Sequence, residues 1–552
     1  MIFLRQLKNF VLVFLYYCYH FCQILRLIKK ELICLRYHFL IEKYITMLPQ
    51  SFFAYLNSEK IESFKRALTK LVPYSDNTQL FDLDAFLIGY NSYLNHNHYY
   101  YDMPSGRAFF VMGKFFNLDF LFERLYGTIK RSTAEKFFLL FQQYGMDIIA
   151  SLKGGFCVCI FNETKNTLEV CTDVNGQFPV FYVQNGEELF LTSELKAFIG
   201  TDILPLKLIN RDKFLQFSQH QQNYSFLKGF KKIIPGRIYH FYLHQNKISA
   251  QYKVLKQIKL DQSNLTFQEA KDKIYTFLDD YVKLLVPSDA RIGVPLSGGL
   301  DSGLVASLAS KYSQKVRSYT VGTALGNEFH TAKETATFLG TIHKEIFIEE
   351  TSYIQSVLHG IYLNEFAHPV YAEGFPGFYH VLENGCHEVD AFLTGYGADL
   401  LLGDIYHLED KSSIGRISEQ SCLHTSWTGE FSPFISAYFN TELIHPFWQI
   451  DLINLSISIP SEYKYLQEEV KYVLREMAVE RGLLPHEYAW RKKTAFNVGS
   501  SMDKLLAKIL DIENYKDYSL KGTFLYNVLE SMFMENKPVE DWDINDLKVF
   551  KK

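Results

Sequence analysis

Residues 294–303 read VPLSGGLDSG: an apolar run ends in Ser297, Gly298 and Gly299, and Leu300, Asp301 and Ser302 follow at once. Such a string can hold an anion. Glycines at the carboxyl end of a strand let backbone N–H groups approach a ligand with no Cβ in the way. Ser297 and Ser302 add hydroxyl donors, and a helix beginning near Asp301 turns its positive N-terminus to the same point. A bare phosphate would repel Asp301, so the carboxylate makes sense with Mg²⁺ between it and the phosphates. A glycine turn capped by Ser and Asp would explain a lone glycine pair; the whole string behind a buried strand is more specific. It is not a Walker loop, because the Gly-Lys-Ser/Thr ending is missing.

A loop of this kind needs an open α/β sheet, since ligands there sit outside the carboxyl ends of the strands. From about residue 262 the sequence supplies one. RIGVPL, VRSYTVGT, HKEIFIE and DAFLTGYG read as strands, and SGLVASLASKY and HTAKETATFLG as the helices between them. That alternation predicts a parallel, doubly wound sheet. Beyond 446 the pattern turns helical, most clearly in YLQEEVKYVLREMAVERG. The preceding half is β-rich. RAFFVMGKFF reads as a strand, TAEKFFLLFQQYGMDIIASL as a helix, and GFCVCIFNE, TLEVCTDV, FPVFYVQNG and ELFLTSEL as a meander of short strands. A further turn and strand fall in KGFKKIIPGRIYHFYL, and the polar stretch 256–270 reads as a linker.

The chain has 552 residues, 48% of them apolar and 16% aromatic, enough for two or three globular domains. With 57 basic and 61 acidic residues, nothing in the overall charge points to nucleic acid. The first 46 residues differ: they lack Gly, Pro, Ala, Ser and Asp, and carry seven basic residues against two acidic ones. Removing that net +5 from the total of −4 leaves −9 on the remainder. Three readings of this segment stand open: untranslated sequence upstream of a start at Met47, a membrane-surface helix, or a signal anchor. Without it the protein is expected in the cytoplasm, away from membranes. Domain boundaries are expected at 1–46, 47–255 and 262–552. The eight cysteines show no paired metal spacing, and alternation makes Cys157 and Cys159 buried same-face strand residues. NHNHYYY (95–101) reads as a polar loop, because His96 and His98 have no third ligand candidate nearby.

The 297–302 string resembles the pyrophosphate-binding loop of ATP-pyrophosphatases. LKGGFCVCIFNETKNTLEVCTDVNGQFPVFYV and LTSELKAF resemble the glutaminase-like domain of glutamine-dependent asparagine synthetases. FLTGYGADLLLGD, TSWTGEFSP, HPFW, EVKYVLRE, WRKK and YTVGTALGNEF resemble the β-lactam-forming branch, that of carbapenam synthetase and β-lactam synthetase, within the class B asparagine synthetase superfamily. The resemblance implies an N-terminal Ntn-hydrolase-like sandwich and a C-terminal ATP-pyrophosphatase-type α/β synthetase domain. An amidotransferase of this class needs a cysteine after its initiator methionine. Ile2 follows Met1 and Leu48 follows Met47, so the first domain is expected not to hydrolyse glutamine.

What the resemblance implies for chemistry is an ATP- and Mg²⁺-dependent C–N ligase. It would adenylate the carboxylate of a small β-amino acid, release pyrophosphate, and let the substrate's own amine close a lactam; carboxymethylproline going to carbapenam-3-carboxylate is the leading case. Asp301 and Asp399 correspond to the Mg²⁺ ligands. Ser297, Gly298, Gly299, Leu300, Asp301, Ser302, Val321, Gly395 and Lys471 correspond to the nucleotide site. Tyr396 and Glu430 correspond to the catalytic pair that takes the amine proton, and Lys493 to the cation beside the developing oxyanion. Plainer readings exist: Asp399 as a helix cap, Lys471 in a surface ion pair with Glu468, Tyr396 as core. The loop after Lys493, TAFNVGSS, lacks the glycine and the His-Glu pair expected in GxHEGSS, which bears on the substrate. Rival functions are an amide ligase or macrolactam cyclase using another amine, and a non-catalytic scaffold. A homo-oligomer is expected.

Overall fold

The apolar run RAFFVMGKF becomes a strand, Arg107–Phe115, because both of its faces are covered. Ala108, Phe110 and Met112 face a second sheet, while Phe109 and Val111 face the helices Leu118–Tyr126 and Thr133–Tyr144. The computed structural model describes residues 52–56, 61–71, 78–83, 86–91, 98–216, 225–244, 247–255, 265–365, 368–403, 433–492, 496–543 and 547–551. The chain divides into two units, Met1–Thr46 and Met47–Lys552, and every described residue belongs to the second. The leader, His96, Glu430 and Lys493 lie outside the described residues. Among the described residues no helix is long and apolar enough to cross a membrane.

The β-rich half is two packed antiparallel sheets. One runs Lys247–Val254, Arg237–His244, Thr167–Thr172, Gly154–Asn162, Arg107–Phe115, Tyr99–Asp102; the other runs Lys231–Lys232, Phe181–Asn185, Glu188–Thr192, Phe52–Leu56, Phe86–Asn91, Thr78–Leu83. The single meander expected from 154 to 192 is therefore wrong in its second half. Its last two strands form a hairpin in the other sheet. The crossing is built by Asp173, whose buried carboxylate accepts backbone N–H bonds from Asn175 (3.0 Å), Gln177 (3.0 Å) and Phe178 (2.9 Å) and so turns the chain. Burial pushes the pKa of Asp173 up to about 6, against those donors. Cys157 and Cys159 are buried on one face of their strand as expected, and His98 is not in a polar loop but buried edge-on against Tyr90.

The second half is the parallel sheet the alternation predicts. Its five main strands run in the order Ile342–Phe347, Val316–Thr323, Ile292–Pro295, Ala391–Leu393, Glu442–Ile444, all parallel, and a two-residue strand, Gly326–Asn327, pairs antiparallel with the end of Val316–Thr323. Helices Phe267–Leu285, Leu300–Tyr312, Ile450–Ser458 and Tyr472–Glu480 share one core with it; Glu350–Asn364, Pro369–Gly385, Met502–Ile509 and Tyr518–Met534 share another. From Ile292–Pro295 the sheet grows one way, then returns to add Ala391–Leu393 on the other side. The carboxyl ends of those two strands flank the point where the order reverses, which is where an open sheet opens a crevice.

Two local readings change. The expected linker runs into a helix: Thr266 and Glu269 form a capping box that starts Phe267–Leu285, and Ala270, Ile274, Leu278 and Val282 line its buried face. The helical reading of 465–482 also fails at its start. Tyr465–Leu466 and Glu469–Val470 form a hairpin across Gln467 and Glu468, both at positive φ (51° and 67°), and the helix begins only at Tyr472.

Buried polar contacts join the halves. Lys114 Nζ lies 2.5 Å from Glu442 Oε2, both nearly out of solvent. Burial pushes the Lys114 ammonium down and the Glu442 carboxyl up, each partly offset by the other's charge. Glu365 accepts the backbone N–H groups of Leu195 and Lys196, at 2.7 Å each, and Lys196 Nζ is ion-paired with Glu194. Trp448 Nε1 donates to the Asn175 carbonyl at 3.1 Å, and Gln177 Nε2 donates to the Trp448 carbonyl at 3.3 Å.

Candidate active site

The 297–302 string sits where the sheet order reverses, and its shape follows from its residue types. Gly298 has φ +76°, and a Cβ there would stand 2.7–2.8 Å from the Thr331 and Ala332 backbone, so only glycine fits. Ser302 Oγ accepts from Ser297 N (3.2 Å) and lies 3.2 Å from Ser297 Oγ, which folds the loop over the start of Leu300–Tyr312. That helix has Gly299 as its N-cap with no side-chain cap bond, leaving its first turn open to the cavity. From the neighbouring strand end, Gly395 packs so tightly on the loop that a Cβ would come within 2.9 Å of the Asp301 backbone.

These elements wall a cavity of about 600 Å³, within the range of small-molecule sites. Ser297 to Ser302, Gly395, Tyr396, Asp399 and Lys471 all line it. Val321 does not. Its side chain is in the core, so only its backbone is open to the role expected of it.

For Lys471 what changes is the backbone setting, not its place beside the glycine loop. The residue is neither helical nor on the surface: it is the N-cap of Tyr472–Glu480, at φ +57°, and is almost fully buried. Its ammonium lies 2.6 Å from Asp301 Oδ2 and is ion-paired with Asp399 Oδ1, so the surface pair with Glu468 is ruled out. One ammonium holding two carboxylates leaves the group at a net charge of −1. Converging hard oxygens of that kind suit a divalent cation whose remaining ligands are phosphate oxygens and water. Among the described residues no cluster of three or more His, Cys, Asp or Glu could hold a metal by itself.

Tyr396 is half-buried beside the same loop. Its ring packs against His445 (5.4 Å between centroids) and Trp448 (5.7 Å), and its N–H donates to Thr394 Oγ1 at 3.3 Å. Thr394 Oγ1 is in turn 2.7 Å from His445 Nδ1.

Sequence reasoning passed over two arginines. Arg491 donates to the carbonyls of Gly298 (3.2 Å) and Thr331 (2.9 Å) and to Glu334 (2.6 Å), tying the glycine loop to the helix Phe329–Leu339. Buried Arg475 donates to the carbonyls of Val470 (2.9 Å) and Arg491 (3.1 Å) and so fixes that segment. The signals were the strings WRKK, in which Lys493 drew the attention, and EVKYVLRE, in which Lys471 did.

Residues 104–253 match the family model of a glutamine amidotransferase domain, and residues 273–428 and 434–541 match that of asparagine synthase. The chain joins a glutamine amidotransferase-type domain to an asparagine synthase-type domain. Among curated relatives, the carboxyethyl-arginine beta-lactam-synthase of Streptomyces clavuligerus is 27% identical over 229 residues, 41% of this chain and 44% of that protein. The match thus spans less than half of that relative's length. Glutamine-hydrolyzing asparagine synthetases of Gallus gallus and Escherichia coli K12 are 24% and 23% identical over 71% and 67% of this chain, and 71% and 65% of theirs. The described cysteines of the amidotransferase-type domain, Cys157, Cys159 and Cys171, are all buried within one sheet. Burial pushes the Cys157 and Cys171 thiols well up, away from the nucleophilic thiolate.

Proposed function

We propose that the protein is an ATP-dependent ligase that activates a carboxylate as an acyl-adenylate and closes a β-lactam with an amine of the same molecule. The observation that carries this reading is one cavity lined by the glycine loop, Lys471 between Asp301 and Asp399, and Tyr396. A carboxylate is a poor electrophile and an ammonium cannot attack, so both have to be changed. The loop N–H groups and the open first turn of Leu300–Tyr312 bind phosphate oxygens. Asp301 and Asp399 would hold Mg²⁺, which when bound neutralises phosphate charge. Lys471 holds the two carboxylates at the crevice.

Tyr396, as the phenolate, takes the amine proton in this reading and is left as the phenol. The ordinary phenol pKa of about 10 is close to that of an alkyl ammonium, so the transfer is nearly balanced. Glu430 is assigned to orient the phenol and Lys493 to meet the oxyanion. Holding both ends of one substrate supplies much of the rate advantage. The likeness to the beta-lactam-synthase of Streptomyces clavuligerus supports this branch, and carboxymethylproline, giving carbapenam-3-carboxylate, is the substrate we assign.

A second reading is an asparagine synthetase-like ligase with an external amine, favoured by the longer matches to asparagine synthetases. Pyrophosphate release with mass spectrometry of the product, using ATP, Mg²⁺ and a panel of β-amino acids, tests both. A product of substrate mass less water, formed without ammonia, supports ring closure. A product that appears only when ammonia or another amine is added sinks it.

A further inference from the structure

One wall of the cavity is unlike the phosphate end. It is formed by Tyr371 and Phe378 of Pro369–Gly385 and by Phe496 and Asn497 of the short turn Phe496–Gly499, with the Phe378 and Phe496 rings 4.9 Å apart. Asn497 is the amide of this wall. Its Nδ2 donates to Glu373 Oε2 at 3.0 Å. Glu373 is fully buried and ion-paired with Lys521, also fully buried, whose ammonium further donates to the Asp503 carbonyl at 3.2 Å.

That anchor decides which way the Asn497 amide points. An ionised carboxylate only accepts, so the amide must turn its NH₂ to Glu373 and its oxygen away. Burial raises the Glu373 pKa while Lys521 and Asn497 lower it. A protonated Glu373 could instead donate and let the amide turn over. Lys521, 148 residues along the chain, is thus what keeps the orientation single. Among the described residues no donor bonds Asn497 Oδ1.

We propose that Asn497 is a substrate-positioning residue: its Oδ1 accepts an N–H of the substrate, whose hydrocarbon carbons lie against Phe378 and Phe496. The inference rests on the ligase reading for the identity of the substrate. It selects acids that carry an N–H on a hydrocarbon frame over those that lack one. An analogue lacking the N–H leaves a polar oxygen facing it without a partner, which penalises binding.

The test is equilibrium binding, so it does not depend on turnover. The probes are carboxymethylproline and its oxolane analogue, in which the ring N–H is replaced by oxygen. The wild-type protein should bind the N–H probe about tenfold more tightly. Asn497→Ala should bind the two alike, with the KM for ATP in pyrophosphate release unchanged. The double variant Glu373→Gln, Lys521→Met, which removes both charges of the buried pair together, should lose most of the preference by freeing the amide to turn. A wild type that does not discriminate, or an Asn497→Ala variant that keeps the full preference, overturns the proposal. Discrimination in binding without pyrophosphate release from any acid would instead count against the ligase reading and leave this one standing.

Discussion

Lys471 Nζ stands 2.6 Å from Asp301 Oδ2 although 170 residues separate them in sequence. Asp399 is ion-paired with the same ammonium. Removing one partner of a buried charge pair typically costs about 3–5 kcal/mol, because the other charge is left uncompensated. Lys471→Met should therefore lower pyrophosphate release by about 10³-fold or more. Rapid-quench measurement of the adenylation step checks this, with circular dichroism to confirm the fold; near-normal adenylation would remove Lys471 from the site.

Gly395 has no room for a side chain next to the Asp301 backbone. Gly395→Ala has to push the glycine loop away from its strand. We expect the KM for ATP to rise about tenfold or more, while the melting temperature changes little because the strand Ala391–Leu393 is untouched. An unchanged KM for ATP would show that the loop's position does not govern nucleotide binding.

Trp448 carries two roles: its ring packs on Tyr396, and its indole N–H reaches across to the Asn175 carbonyl. Trp448→Phe keeps a ring and removes the hydrogen bond, a change of about 1–3 kcal/mol where a buried acceptor loses its donor. Urea unfolding should show that loss, and ring closure should slow several-fold at an unchanged KM for ATP. If only stability falls, the amidotransferase-like half does not help to position Tyr396.

Asp173 makes stability depend on pH. Its carboxyl titrates at about 6 in the folded protein against 3.8 ordinarily, so folding favours the protonated form. The stabilisation is fully present below about pH 4 and is lost as pH rises through 6, on the order of 3 kcal/mol in all. Urea midpoints measured from pH 4 to 7 should carry this decline in the wild type. Asp173→Asn, less stable at every pH for want of an acceptor, should not show it.

The glycine loop was legible because its chemistry is local: strand, two glycines, hydroxyls and a carboxylate follow one another within ten residues. The order of the sheet could be read only as a class, since periodicity says which elements exist and not which edge the fourth strand joins. The backbone of Lys471 was read as helical because apolar spacing continues across Gln467 and Glu468, whose left-handed turn has no glycine or asparagine to mark it. His98 looked exposed because its neighbours in sequence are polar, while its neighbour in space is Tyr90. The lock on Asn497 was hidden for another reason: Glu373 and Lys521 lie 148 residues apart, and nothing in the sequence around either marks it as buried.

The contact between Lys114 and Glu442 also sets a clock. The two residues are 328 positions apart, and synthesis at ~5–20 residues per second puts roughly 16–65 s between the appearance of the ammonium and that of its carboxylate. Throughout that interval the nascent amidotransferase-like half holds a cation it cannot pair and a face it cannot cover. Ribosome-bound chains stalled before residue 442 should therefore be held by chaperones and cut readily by proteases, and chains stalled well beyond it should be neither.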